Sequence, residues 1–317
     1  MDFDRQARVY LGDCDTMRGN IAHKIVALSF AFLVLACSTV ESRRASAQPL
    51  IVLLTDFGDK DHYTGALKGA IYSANPSARI DCITNQIREF DIAEGAYTLA
   101  EAAREYPDNT IFVAIVDPGV GSHRKGIAVK TKQGKIFIGP DNGVMWPASE
   151  EAGIVEVREL SNTALMHPGE ISSTFHGRDI FGPVAGHLAA GTPFELVGPK
   201  LAGMAELTSP RATLSEERAV GDILHVDDYG NLITNIPVGT VREMGLHLGS
   251  CARVTVNGKE FKAQFVQTYS DVEAGAPLFL SNRGFVELAV NLGALSEIVG
   301  ATQGMKVIIE PWSDGSQ

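Results

Sequence analysis

The chain has 317 residues, 45% of them hydrophobic and 21% charged, which is typical of globular proteins and excludes disordered, collagen-like and coiled-coil classes. Its length predicts about two domains. Asp and Glu number 38 against 27 Lys and Arg, so the net charge is −11, and no basic block is present. A nucleic-acid partner is therefore not expected, and four cysteines are too few for a disulfide scaffold.

The first 47 residues have the features of a secretory signal peptide. Residues 25–40 form an uncharged apolar run that follows a basic segment and is shorter than the roughly 20 residues of a membrane span. Ala45-Ser46-Ala47 supplies a small-residue cleavage site. We expect export to the periplasm or beyond, with cleavage after Ala47. A retained membrane anchor, lipoprotein processing at Cys37 and a start at Met17 are the alternatives.

Strands and helices alternate after the leader. Leu50–Leu54 is an apolar run typical of a buried strand, and the apolar spacing of Tyr63–Ala74 predicts a helix. Asp91 and Glu94 are typical of a capping box that opens a helix ending near Glu105. A later helix is predicted at residues 180–190, and further strands at Thr110–Val116, Ile127–Thr131 and Lys135–Ile138. This alternation is typical of an α/β fold with a largely parallel sheet.

The pattern changes near Ser209-Pro210. Short strands are predicted at Ile223–Val226, Leu232–Ile236, Cys251–Val256, Phe261–Phe265, Phe285–Val290 and Val307–Glu310. Asn257-Gly258 predicts a hairpin turn. We expect an N-terminal α/β domain over residues 48–208 and a mainly-β domain over residues 209–317. The two cysteines outside the leader, Cys82 and Cys251, either pair or stay buried as small hydrophobic residues.

Two of the predicted strands end in an aspartate that precedes a glycine. These are Asp56 and Asp117, and ligands of open α/β sheets bind at the carboxyl ends of strands. The pair favours a polar, sugar-bearing ligand; the alternative is that each aspartate only caps a loop. Asp56-Phe57-Gly58 resembles the metal-binding triplet of protein kinases, but the other kinase motifs are absent from the sequence. Gly119-Val120-Gly121 lacks the rest of a dinucleotide fingerprint or of a phosphate-binding loop.

Several histidines invite a metal hypothesis, but none has the spacing of a zinc motif. They are His62, His123, His167, His176 and His187. We therefore do not expect a catalytic metal. His176 lies in a loop before a predicted helix, where functional residues concentrate. A turn carrying Asp227 and Asn231 feeds a strand; it is either a hairpin corner or a grip for an amino-acid headgroup.

Six segments occur in one order: TDFG at 55–58, VDPGVG at 116–121, PDNG at 140–143, TFHGRD at 174–179, GNLITNI at 230–236 and TYSD at 268–271. Together they resemble the S-adenosyl-L-methionine (SAM) hydrolase (adenosine-forming) family, also called SAM hydroxide adenosyltransferases. SAM-dependent chlorinases and fluorinases are relatives of that family. The resemblance extends from Leu50 to Glu310.

The resemblance implies hydrolysis of SAM to adenosine and L-methionine, by attack of water on the ribose 5′ carbon. It also implies a barrel-like C-terminal domain and a homotrimer that binds SAM between subunits, without a cofactor. The family's catalytic triad matches Asp117, Arg124 and His176, in which His176 would take or relay a proton and Asp117 would orient both partners. In the halogenating relatives a tyrosine tends to replace His176, so the triad favours water over halide.

The resemblance further implies which residues hold the substrate. The ribose side matches Asp56, Asp61, His62 and Tyr63; the methionine and ribose region matches Asp227 and Asn231; the methionine carboxylate matches Asn282 and Arg283; the adenine matches Tyr269, Val290, Asn291 and Leu292. Two positions depart from the family pattern. Asn282 stands where serine is more common, and Asn85 stands where relatives often have histidine.

Three other functions compete with SAM hydrolysis. A SAM-dependent halogenase would make halide-dependent nucleosides. An exported SAM- or adenosine-binding protein would bind without releasing methionine. A nucleoside hydrolase would release free adenine.

Overall fold

The computed structural model describes residues 48–208, 211–215 and 217–313. Two β-sheets organise this part of the chain, one in its N-terminal and one in its C-terminal half. The leader predicted over residues 1–47, with its cleavage site, lies outside the described residues. Among the residues that are described, no helix has the length and apolar character needed to cross a membrane.

The N-terminal sheet has six strands in the order β2-β1-β3-β5-β4-β6. They are β1 (Leu50–Thr55), β2 (Arg79–Thr84), β3 (Ile111–Ile115), β4 (Gly126–Thr131), β5 (Ile136–Pro140) and β6 (Ile154–Glu159). Strands β2, β1, β3 and β5 are parallel, and β4 runs antiparallel to β5 and β6. The expected largely parallel sheet is confirmed, and so are its four predicted strands.

Helices cover both faces of this sheet. They are α1 (Tyr63–Ala74), α2 (Ile92–Ala103), α3 (Trp146–Glu151) and α4 (Gly182–Ala189). The pair α1 and α4 packs on one face and the pair α2 and α3 on the other, because successive residues of a strand point to opposite faces. The predicted cap of α2 is confirmed: the Asp91 carboxylate accepts the Glu94 N–H at 2.9 Å.

The C-terminal sheet is a closed barrel. Its strands are β7 (Thr213–Leu214), β8 (Ala219–Val226), β9 (Leu232–Pro237), β10 (Cys251–Val256), β11 (Lys259–Phe265), β12 (Pro277–Asn282), β13 (Phe285–Val290) and β14 (Lys306–Pro311). Seven strands close the ring in the order β14-β10-β11-β12-β13-β9-β8, because β14 also pairs with β8, and β7 adds to β8. Helices α5 (Val238–Glu243) and α6 (Leu295–Val299) lie in its connections. The barrel that the resemblance implied is confirmed.

The predicted hairpin turn joins β10 to β11. Asn257 and Gly258 both have positive φ, 50° and 71°, which a tight type I′ turn requires. Cys82 and Cys251 are free and half-buried, so no disulfide joins them. Burial raises the pKa of the Cys82 thiol.

Helix α2 also faces the barrel. Tyr97 of this helix stacks on His225 of β8 with the ring centroids 4.8 Å apart. Arg283, in the β12–β13 turn, forms ion pairs with Glu101 at 2.7 Å and with Glu105 at 2.8 Å. These contacts hold the barrel against one face of the helical layer.

Candidate active site

Asp117, Arg124 and His176 come together beyond the carboxyl end of β3. Asp117 and Arg124 lie in the β3–β4 loop, and His176 precedes a π-helical turn (Gly177–Phe181) that continues into α4. The Arg124 Nε donates to Asp117 Oδ1 at 2.9 Å, and its Nη2 donates to Oδ2. The same Nη2 lies 2.8 Å from His176 Nδ1. Arg124 therefore binds both other members of the predicted triad.

Burial and charge fix the protonation of this cluster. The side chains of Asp117 and Arg124 are only 7% and 10% exposed, and the Arg124 guanidinium lies 5.5 Å above the Phe181 ring. A guanidinium offers only N–H donors, so His176 Nδ1 must accept. Burial, and next the charge of Arg124, lower the pKa of His176. His176 is therefore neutral near pH 7, with its proton on Nε2.

A cleft of about 380 Å³ opens beside Asp117 and His176. Asp56, Asp61 and Tyr63 also line it. Phe57, Tyr63 and Phe175 form one wall as a cluster of three mutually packed rings. This cleft thus combines carboxylates with aromatic surface, as expected for a site that holds a ribose.

The Asp56 carboxylate is half-buried in this cleft and accepts the Phe90 N–H at 3.0 Å. Burial is the largest cause that raises the pKa of Asp56, and the nearby carboxylates of Asp117 and Glu89 add to it. His62 is exposed, and its ring lies tilted beside that of Tyr63, with the ring centroids 4.5 Å apart. It does not line the cleft.

Asn85 fixes the loop that carries Asp56. Its buried side chain accepts the Thr55 hydroxyl at 3.1 Å and donates to Asp59 at 2.9 Å. Its carbonyl accepts the Gly58 N–H at 2.7 Å. The sequence identified Asn85 only as a departure from the family pattern; the structure assigns it to positioning.

A second cleft, of about 710 Å³, lies on the barrel. The predicted substrate residues that line it are Asp227, Asn231, Tyr269, Asn282, Val290, Asn291 and Leu292. Asp227 closes its own turn, because its carboxylate accepts the N–H groups of Tyr229 and Asn231 and the Asn231 side-chain amide. Most of the predicted adenine and methionine contacts therefore share one cleft, and most of the ribose contacts share the other.

Glu287 belongs to the second cleft and was missed in the sequence. It lies on β13, is 4% exposed and accepts hydrogen bonds from the Tyr269 hydroxyl and from Asn282 Nδ2, the latter at 2.7 Å. The only signal in the sequence was a single charge inside the apolar stretch 285–290. A single charged residue in a strand is equally typical of a position that faces solvent.

Arg283 lines neither of these two clefts. Its guanidinium contacts Glu101 and Glu105 instead. Within one chain, the predicted substrate residues therefore form two groups in two clefts, and Arg283 and His62 line neither.

The other predicted histidines are dispersed. His167 and His187 line a separate hollow beside α1 and α4, and His123 is exposed. Over the described ranges, no three His, Cys, Asp or Glu side chains are grouped as a metal site would require.

Comparison with known proteins places this geometry in a family. The N-terminal domain model of the SAM hydroxide adenosyltransferases matches residues 51–198, and the C-terminal domain model matches residues 221–308. An (R)-S-adenosyl-L-methionine hydrolase from Thermus thermophilus is 33% identical over 269 residues, covering 81% of this chain and 98% of the relative. A fluorinase from an Actinoplanes species is 27% identical over 294 residues, covering 84% and 98%.

Among solved structures, that of an uncharacterized conserved protein from Thermotoga maritima matches with a TM-score of 0.78 at 39% identity. The match covers 82% of this chain and 99% of that one. Sequence motifs, fold and both domain matches agree, and the chain belongs to the SAM hydroxide adenosyltransferase family.

Proposed function

We propose that this protein hydrolyses SAM to adenosine and L-methionine. The observation that carries the proposal is the Asp117–Arg124–His176 cluster on the wall of a cleft that also contains Asp56. The hydrolase name of the Thermus relative supports it. Attack on the ribose 5′ carbon needs one oriented water molecule, and the cluster offers both a donor and an acceptor for it.

The roles of the three residues follow from which of them face the cleft. Asp117 and His176 line it, whereas Arg124 lies behind them and contacts both. The Nε2–H of His176 donates to the water oxygen, and the Asp117 carboxylate accepts one water proton. A lone pair of the oxygen then faces the 5′ carbon. Arg124 is a positioning residue that holds the other two.

The bond changes need no further group. As the oxygen–carbon bond forms, the carbon–sulfur bond breaks and its electron pair returns to sulfur, giving the neutral thioether of methionine. The attacking oxygen becomes strongly acidic, so the Asp117 carboxylate is a sufficient acceptor for its proton before release to solvent. The leaving group is already activated, so the reaction as proposed uses no acid, metal or cofactor. Orientation of the water in line with the breaking bond supplies the main rate advantage.

A halogenase is the second candidate, because the Actinoplanes fluorinase is also a relative. Two observations favour hydrolysis. The hydrolase relative is the more similar, at 33% against 27% identity. The Asp117 carboxylate lines the cleft beside His176, where it accepts a water proton but repels a halide anion.

We also propose that the active site is completed between subunits of a homotrimer. Each of the two clefts holds only part of the predicted substrate contacts. Large apolar side chains stand exposed at the clefts: Phe90 at 66% beside the first, Tyr229 at 79% and Leu292 at 91% beside the second. Exposed apolar surface around a polar pocket is typical of an interaction surface.

Export remains a proposal that rests on the sequence of the first 47 residues. The family match begins only at residue 51, which leaves the proposed signal peptide outside it. N-terminal sequencing of the protein purified from a periplasmic fraction tests this: a mature start at Gln48 is expected, and a cytoplasmic protein that retains residues 1–47 would contradict it.

The proposed activity is tested by incubating the purified protein with SAM, without halide and with added chloride or fluoride, and separating the products. We expect adenosine and methionine in equal amounts, unaffected by halide. A 5′-halogenated nucleoside would indicate a halogenase, and free adenine a nucleoside hydrolase. Tight binding without any product would indicate a binding protein.

A further inference from the structure

Glu287 is a buried carboxylate without a counter-charge. It is 4% exposed, and no ion pair to it forms within the described part of the chain. Its hydrogen-bond partners, Tyr269 and Asn282, are both neutral. Burying a carboxylate is costly unless a cation accompanies it. The position of Glu287 on the cleft wall suggests that a ligand supplies that cation.

The rest of the second cleft has the same sign. Its only charged lining residues are Glu287 and Asp227, and no Lys, Arg or His lines it among the described residues. Arg283, the nearest arginine along the chain, is already paired with Glu101 and Glu105. The cleft is therefore an anionic pocket that favours a cationic ligand.

The Tyr269 hydroxyl donates to the Glu287 carboxylate. Burial, and next this hydrogen bond, raise the pKa of Tyr269. The hydroxyl therefore stays protonated at neutral pH and remains a donor that holds the carboxylate in place.

We propose that Glu287 binds the α-ammonium group of the methionine part of the substrate, an inference that rests on the proposed function. A carboxylate has about four lone-pair positions, and the structure fills two of those of Glu287. An ammonium group brings both the missing charge and N–H donors for the free positions. The sulfonium has no such donor, and the adenine is neutral. Glu287 thus selects substrates that carry an amino group on the tail.

The test uses ligands that cannot turn over. S-adenosyl-L-homocysteine keeps the α-ammonium group but lacks the sulfonium charge, and its deamino analogue lacks both. Binding of each to the full-length protein is measured by calorimetry, for the wild type and for Glu287→Gln. Glu260→Gln is the matched control, because Glu260 lies on β11 with its side chain 57% exposed. The turnover of SAM is measured in parallel.

We expect Glu287→Gln to weaken S-adenosyl-L-homocysteine roughly 10- to 100-fold, as for a lost hydrogen bond to a charged group. Its affinity for the deamino analogue and for adenosine should stay at the wild-type value, and Glu260→Gln should change nothing. An equal loss for both homocysteine ligands would reduce Glu287 to a structural support of Tyr269. Loss of SAM turnover with unchanged binding of S-adenosyl-L-homocysteine would assign Glu287 to the sulfonium. Either result overturns the proposal.

A second variant and the ligand preference of the wild-type protein distinguish the remaining outcomes. If Glu287→Gln does not fold, Glu287→Asp retains the charge but shortens its reach, and the same selective loss is expected. A wild-type protein that prefers S-adenosyl-L-homocysteine to its deamino analogue but releases no adenosine from SAM refutes the hydrolysis and leaves the ammonium site standing. A wild-type protein that binds both homocysteine ligands equally refutes the ammonium site alone.

Discussion

The hydrogen bond between Arg124 and His176 decides what each triad residue can do. Because the guanidinium occupies Nδ1, the neutral imidazole presents a donor, not an acceptor, toward the cleft. Asp117, whose carboxylate lines the cleft, is then the member of the triad that can accept a proton from water. This assignment separates water orientation, by His176, from proton acceptance, by Asp117.

Removal of the imidazole should therefore affect catalysis more than binding. We expect His176→Ala to lower kcat about 10²- to 10³-fold, as for the loss of one preorganised hydrogen-bond donor at the reacting atoms, while the affinity for S-adenosyl-L-homocysteine changes little. Single-turnover rates and calorimetry measure the two effects. His247→Ala, at an exposed histidine on the barrel, is the control. Unchanged turnover in His176→Ala would remove this residue from the mechanism.

The pH profile follows from the same bond. Burial and Arg124 lower the pKa of His176 below its usual 6.5, so the neutral, active imidazole persists as the pH falls to 6.5 and is lost only below it. Protonation would place a proton on Nδ1, where Arg124 already donates. We expect kcat/KM to stay constant as the pH falls to 6.5 and to decrease below that value. Protonation of Asp56, whose pKa is raised, should make this decrease steeper. An acid limb centred above pH 6.5 would contradict this.

Among individual residues, those that lie in contiguous motifs could be identified from the sequence. Asp117 and His176 were identified because each stands in a short segment that resembles the family, and Arg124 because it follows the segment 116–121 by three residues. Glu287 was not, since a single acidic residue in an apolar strand does not reveal whether it faces solvent or a cleft. The placement of Arg283 could not be predicted either, because its partners, Glu101 and Glu105, are remote in sequence and meet it only through the packing of α2 on the barrel.

Among the elements, β3 and β5 determine where Asp117 lies, and Gly139 determines how closely they approach. A Cβ at Gly139 would collide with the carbonyl oxygen of Ala114 on β3. We expect Gly139→Ala to reduce the free energy of unfolding by about 1–3 kcal/mol, as other overpacked sites do. Urea denaturation measures this.

Gly69→Ala is the matched control for that substitution. Gly69 lies in α1 with open space around its Cβ position, so alanine should raise stability by about 0.5–1 kcal/mol there. If Gly139→Ala proves as stable as the wild type, the close approach of β3 and β5 is not a determinant of the sheet.

The elements that were predicted are those with an unambiguous pattern. Strands β1 and β3 are buried on both faces and therefore appear as continuous apolar runs. Strands β2 and β6 lie at the two edges of the sheet and carry charged residues, so their sequences lack that run. The turn at Asn257-Gly258 was predictable because its residue types are specific for a tight hairpin, whereas closure of the barrel depends on pairing between β8 and β14, which no local pattern shows.

For the whole molecule, the separation of the two clefts predicts that activity is shared between chains. His176→Ala disables the first cleft and Tyr269→Ala the second, and each variant alone should be inactive or nearly so. In the proposed homotrimer, random mixing of the two variants joins an intact first cleft to an intact second cleft at about one quarter of all interfaces. Co-expression of the two variants should therefore restore about that share of the wild-type turnover.

The matched control for complementation is a pair of variants in the same half-site. Co-expression of His176→Ala with Asp117→Asn should restore no activity, because both disable the first cleft. If the pair from different clefts also stays inactive, although the chains assemble, the active site does not form between subunits.

Isotope labelling determines whether a water molecule attacks the ribose 5′ carbon. The protein is incubated with SAM in ¹⁸O-water, and the adenosine formed is analysed by mass spectrometry. We expect one ¹⁸O atom in the 5′-hydroxyl group and one methionine released per adenosine. Adenosine without label at that position, or release of the adenine base in its place, would contradict it.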